Sequence, residues 1–252
     1  MASNDPRFSI GSVADVRAGA PAIDQGLRAF MLAVYNHMAL GVAITGALAL
    51  GTFMMAANEV GGQLVLTGFG EAMFNSPLRW LVVLSPFAIV LWMSFGAEKM
   101  TAATARTLFY VYAALLGMSL STLFLVYTGG SIARVFFVSA ASFGALSLYG
   151  YTTKRDLSGF GSFLMMGLFG LIIASLVNFF FASSALDFVI TLAGVGIFAG
   201  LTAYDTQKLK SIYYGVGSRE EGEKQAIFGA LNLYMDFINL FLMLMRLLGD
   251  RR

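Results

Sequence analysis

Phe160-Gly161-Ser162-Phe163-Leu164-Met165-Met166-Gly167-Leu168-Phe169-Gly170-Leu171-Ile172-Ile173-Ala174-Ser175-Leu176-Val177-Asn178-Phe179-Phe180-Phe181-Ala182 contains no Lys, Arg, Asp or Glu. At roughly 1.5 Å per residue, a helix of this length reaches across the roughly 30 Å hydrocarbon core of a bilayer. The stretch reads as a membrane span. Apolar segments of similar length run on both sides of it, at about Ala29–Ala57, Trp80–Ala97, Leu108–Tyr127, Ile132–Tyr151, Leu186–Tyr204 and Ala226–Leu248. The spacing therefore predicts an all-α integral membrane protein with seven transmembrane helices.

Composition agrees. Hydrophobic residues make up 58% of the 252 and charged residues 12%, half the roughly 25% of an average soluble domain. One soluble core of this size cannot hide that much apolar surface. The net charge of +2 is too small to argue for nucleic acid. With no cysteine and a single histidine, His37, disulfides, thiolate metal sites, HExxH and Cys–His pairs are all out of reach. Gly194-Val195-Gly196 lies inside an apolar segment and is no nucleotide loop. Nothing in the chain argues for an enzyme, and these residues call for no cofactor.

Residues 1–28 read as a polar N-terminal tail, with Asp5, Arg7, Asp15, Arg17, Asp24 and Arg28 and no apolar core of signal-peptide length. Residues 29–252 form the transmembrane domain. Between the first two spans, Asn58–Arg79 reads as the longest outer connection, marked by Gly61, Gly62, Gly68, Gly70 and Pro77. Val216–Lys224 reads as a charged, solvated loop.

Orientation follows from the cations. The tail, the loops with Lys99 and Arg106, with Lys154 and Arg155, and with Lys208, Lys210, Arg219 and Lys224 fall on one side; only Arg79 and Arg134 precede the last span on the other. The N-terminus is expected in the cytoplasm. Seven crossings place the C-terminus outside, where Arg246, Arg251 and Arg252 run against the bias. The apolar length of the last segment favours a full crossing.

Carboxylates within spans carry the functional expectation, because a mid-membrane Asp costs roughly 2.5–3.5 kcal/mol on insertion scales. Asp236 lies near the middle of the last span and Asp205 at the inner end of the sixth. Asn232, Asp236 and Asn239, spaced i, i+4, i+7, share one helix face, which continues to Met243 and Arg246. Asp187 reads as an interfacial charge, His37 as structural, and Asn178 as an interhelical hydrogen bond. Gly196 and Gly200, with Ala199 and Ala203, let the sixth span approach a neighbour closely.

Tyr204-Asp205-Thr206-Gln207 and Leu231-Asn232-Leu233-Tyr234-Met235-Asp236-Phe237-Ile238-Asn239-Leu240-Phe241 together resemble the Bax inhibitor family, the transmembrane Bax-inhibitor-motif group, most of all its bacterial YccA-like branch. The resemblance covers the chain from about Arg28. It implies two three-helix layers around a central C-terminal helix. It also implies a pH-sensitive calcium (cation) leak channel, in which carboxylates matching Asp205 and Asp236 share a proton, gate the pore and can meet calcium. Relatives can carry an arginine near the end of the second span that pairs with the first Asp; here Lys99 is the nearest cation. The alternative function is a non-conducting regulator that binds an FtsH-type membrane AAA protease. Lipid, calcium and protons are the other expected partners.

Overall fold

The structure, a computed structural model, describes residues 25–252; the expected polar tail up to Asp24 lies outside them. Seven helices are long and apolar enough to cross a membrane. They are α1 (Gln25–Ala56), α2 (Leu78–Gly96), α3 (Ala102–Leu120, continued by the turn Leu123–Val126), α4 (Gly129–Thr152), α5 (Ser158–Phe181), α6 (Ser184–Gly215) and α7 (Arg219–Leu248).

Their starts are written in local chemistry. The first turn of a helix has amide hydrogens with no partner of their own, and a Ser or Thr oxygen just before it accepts one. Thr101 accepts from the amide of Thr104 at 3.2 Å, Thr128 from Ser131 at 3.3 Å, Ser183 from Leu186 at 3.3 Å and Ser218 from Glu221 at 3.2 Å. Asn178 does not bridge helices: its Oδ1 accepts from the amide of Ser183 at 2.9 Å and closes its own helix, where Ala182 adopts the left-handed region at φ 47°.

The helices sort into two units of three around the seventh, as expected. In the first, α3 packs against both α1 and α2; in the second, α6 packs against both α4 and α5. The seventh touches α1, α3, α4 and α6. Of its apolar window 72% is buried, against 6% for the lipid-facing α5, so α7 is the core and the bilayer is the solvent.

Three sequence expectations change. The long connection after α1 holds a hairpin, β1 (Ala57–Val60) paired antiparallel with β2 (Gln63–Leu66). Its turn is Gly61-Gly62, at φ 61° and 80°, values that glycine reaches without a Cβ penalty. Val216–Lys224 is not a loop beyond Ser218, because the Ser218-to-Glu221 cap starts α7 at Arg219. Gly196 has open space around it, whereas Gly200 faces Leu164 and Phe160 of α5. Ala203, singled out with them, packs closely on Gly150 of α4, where an added Cβ would strike the Ala203 backbone.

The last helix runs the full depth of the bundle. Beyond α7, Asp250 and Arg252 join the connection before α4: Thr128 donates its amide to the Asp250 carbonyl at 3.1 Å and Arg252 donates its amide to the Val126 carbonyl at 3.0 Å. That connection lies on the face opposite to Gln25.

Candidate functional site

The two motifs that stand out in the sequence meet on the side of the molecule nearer the N-terminus. In Tyr204-Asp205-Thr206-Gln207 each side chain is used by a different neighbour. Tyr204 lies flat on Gly161 of α5, where a Cβ would collide with its ring. The buried hydroxyl of Thr206 donates to the Thr202 carbonyl at 2.8 Å and lies 3.3 Å from Ser147 Oγ of α4. Gln207 clasps the α4–α5 connection, donating to the Arg155 carbonyl at 2.7 Å and accepting from the Leu157 amide at 2.8 Å. Asp205 is left to face α7.

The α7 motif is distributed the same way. The Tyr234 hydroxyl sits 2.5 Å from Thr45 Oγ1 of α1, which itself donates to the Ala113 carbonyl of α3 at 2.9 Å. The Tyr234 ring meets Phe109 and Tyr112 of α3 edge-on, with centroids 5.5 and 5.7 Å away. Phe237 packs edge-on against Phe136 and Phe143 of α4 at 5.7 and 5.6 Å. Asp236, between them in the sequence, points at α6. These contacts fix the rotation of α7 on all four sides, and with it the direction of the Asp236 carboxyl.

The Asp205 and Asp236 carboxyls lie close enough for each to bear on the other. A hydrogen bond between two carboxyls needs a proton on one of them. Asp236 is only 6% exposed, and its Oδ2 is buried with no hydrogen-bond partner among the described residues. Asp205 is half-buried, and the cation whose charge bears on it is Lys208, one turn away on the same helix. Lys208 also rests 5.9 Å from the centre of the Tyr204 ring.

The remaining residues singled out in the sequence fall in different places. Along the shared face of α7, Asn232 is exposed, Asp236 buried and Asn239 half-buried. The face therefore does not point inward along its whole length; it passes from an open end at Asn232 to a sealed middle at Asp236. Lys99 is an exposed turn residue after α2. Arg246 lies towards the far side of the membrane, 3.9 Å from Asp187, about 15 Å along the helix from Asp236 at 1.5 Å per residue. His37 of α1 shares a hydrogen bond with Tyr110 of α3 at 2.6 Å.

Calcium takes six to eight oxygens. Among the described residues no group of three or more His, Cys, Asp or Glu gathers, so the carboxyl pair offers two acidic ligands. Such a pair suits contact with a passing hydrated ion better than a closed coordination shell.

Comparison with known proteins gives a consistent picture. The family model described as "Inhibitor of apoptosis-promoting Bax1" matches residues 27–252. The chain is 51% identical to the uncharacterized protein RP147 of Rickettsia prowazekii, across 91% of this chain and 92% of that one. It is 46% identical to the inner membrane protein YbhL of Escherichia coli K12, across 90% and 94%. With an uncharacterized protein of Caulobacter vibrioides the identity is 47%, across 91% and 92%.

Proposed function

The chain belongs to the Bax inhibitor family, and on that premise we propose that it is a proton-gated calcium (cation) leak channel of a bacterial inner membrane, with its N-terminus in the cytoplasm. The observation that carries this reading is the apposition of two carboxyls, Asp205 of α6 and the buried Asp236 of α7, whose Oδ2 has no hydrogen-bond partner among the described residues.

With one proton between them, the carboxyls tie α6 to α7 by a short hydrogen bond. Losing that proton places two like charges side by side, one of them on the buried Asp236, and full ionisation of such a pair is costly. The pair then separates, drawing in water, or recruits a cation whose preferred ligands are hard oxygens. The proton therefore belongs to the pair rather than to either residue. Asn232, exposed one turn nearer the N-terminal side, marks the end from which water and ions reach Asp236. Lys208 offers a competing positive charge for Asp205 when the proton leaves. Lys99, the sequence-based candidate for a closed-state latch, has no part in this reading.

Similarity to the inner membrane protein YbhL supports the inner-membrane assignment, and the excess of Lys and Arg on the N-terminal side supports the orientation. The alternative, a non-conducting regulator of an FtsH-type protease, would act through the polar residues before Gln25. It leaves a buried carboxylate without a purpose, although an amide would pack as well without the cost of ionisation.

Calcium efflux from liposomes loaded with the purified chain tests the reading. Flux that depends on protein and changes with pH supports it, and liposomes no leakier with the protein than without it refute it.

A further inference from the structure

Where the two three-helix units face each other beside α7, α1 and α4 leave a groove of about 730 Å³ between them. The two helices run antiparallel, so Arg28 and Tyr151 share its polar end, while Tyr35, Phe143 and Gly144 lie deeper. We propose that this groove binds an anionic phospholipid, with the phosphate on Arg28 and one acyl chain between α1 and α4.

Charge is the first argument. Arg28 is exposed and pairs with no carboxylate among the described residues. Behind Tyr151 stands a second cation, Lys210, whose Nζ donates to the Tyr151 carbonyl at 2.6 Å and lies 5.3 Å from the centre of its ring. Two cations at the end of an interhelical groove, close to the level where a span leaves the hydrocarbon, form the kind of basic pocket that holds phospholipid head groups.

Shape is the second. From Arg28 to Tyr35 the groove follows α1 for about 10 Å, within the roughly 15 Å depth of one leaflet. Its deeper walls are Met31 and Phe143, both buried, and its lips are Leu32 and Leu148, 52% and 63% exposed. A soluble anion would satisfy Arg28 and leave this apolar length uncovered; a neutral hydrocarbon would cover it and leave the cation bare. An anionic phospholipid does both. The site stands independently of the conducting reading, although its floor at Ser147 abuts Thr206, the neighbour of Asp205.

The test uses the purified full chain in detergent, with the thermal unfolding midpoint followed as phosphatidylglycerol is added. Phosphatidylglycerol is expected to raise the midpoint, with phosphatidylcholine and glycerol phosphate much weaker. Arg28→Gln should weaken the apparent affinity about five-fold, the worth of one cation at a lipid surface. Gly144→Leu should abolish the shift, since a Cβ there meets nothing within 4 Å and the side chain can occupy the groove. Arg106→Gln, an exposed cation on the same side of the molecule, should leave the shift as it is. Wild-type affinity in both Arg28→Gln and Gly144→Leu would overturn the proposal, as would an equal response to phosphatidylcholine or to glycerol phosphate, or no response to any lipid. A shift that appears only after residues 1–22 are deleted would also overturn it, because the chain's own N-terminal segment would then be the occupant.

Discussion

Arg246 of α7 stands 3.9 Å from Asp187 in the first turn of α6, so one of the cations that break the charge bias at the C-terminus has an acid beside it. Arg134 pairs with Asp250 on the same face. Both acids lie on the far side from Gln25. A cation accompanied by a carboxylate is a weaker topogenic signal than a bare one near a span, and although Arg79, Arg251 and Arg252 remain on this face, more Lys and Arg lie on the other. The chain has no native cysteine, so single cysteines report position cleanly. In intact cells an impermeant thiol reagent should label a cysteine at Gly129 and leave one at Lys154 or Arg219 unlabelled until the membrane is opened. Strong external labelling at Lys154 would reverse the orientation.

Gly150 marks a tight contact between α4 and α6, with the backbone of Ala203 where a side chain would be. Gly150→Leu should lower stability by about 1–3 kcal/mol, the usual cost of forcing bulk into a packed interface. Gly170→Ala, where nothing lies within 4 Å, should change the unfolding midpoint in detergent little. Equal midpoints for the two variants would mean that α4 and α6 do not pack as described.

Ser218 holds the first turn of α7 through the Glu221 amide. Ser218→Ala removes this cap at a cost of about 1 kcal/mol, felt locally as fraying. Hydrogen exchange at the amides of Glu220 to Lys224 should then quicken about five-fold, with the centre of α7 unchanged. Exchange as slow as in the parent chain would show that the helix start is held by something else.

The spans were legible because lipid demands length and the absence of charge, which periodicity and composition report directly. Their polar ends were not. From Tyr204 to Gly215 and from Arg219 to Ala226 the helices continue beyond the apolar signal, where Lys208, Lys210 and Glu223 mimic a loop. Ser218-Arg219-Glu220-Glu221 was nonetheless a readable capping box, and Gly61-Gly62 was a readable hairpin turn, although the Ala57-Asn58-Glu59-Val60 run before it has little strand propensity. In the site, charge cost picked out Asp236 and its position on a shared face with Asn232. The partnership of Asp205 and Asp236 came from family resemblance alone, since 31 positions separate them and no spacing rule connects two helices. Arg246 lay on the same helical face but near the other membrane surface, a reminder that a shared face says nothing of depth.

The central claim is that one proton between Asp205 and Asp236 decides whether the helices stay closed. Calcium flux through the purified protein in liposomes, compared between about pH 6 and 8, tests it most directly. Protons favour the closed state, so flux through the parent chain should rise with pH as the shared proton is lost. Asp205→Asn and Asp236→Asn keep a hydrogen-bonding shape but abolish the repulsion between two carboxylates, and each should flatten the profile. Both variants retaining the parent's pH dependence would contradict the account and leave the two aspartates as packing contacts between α6 and α7.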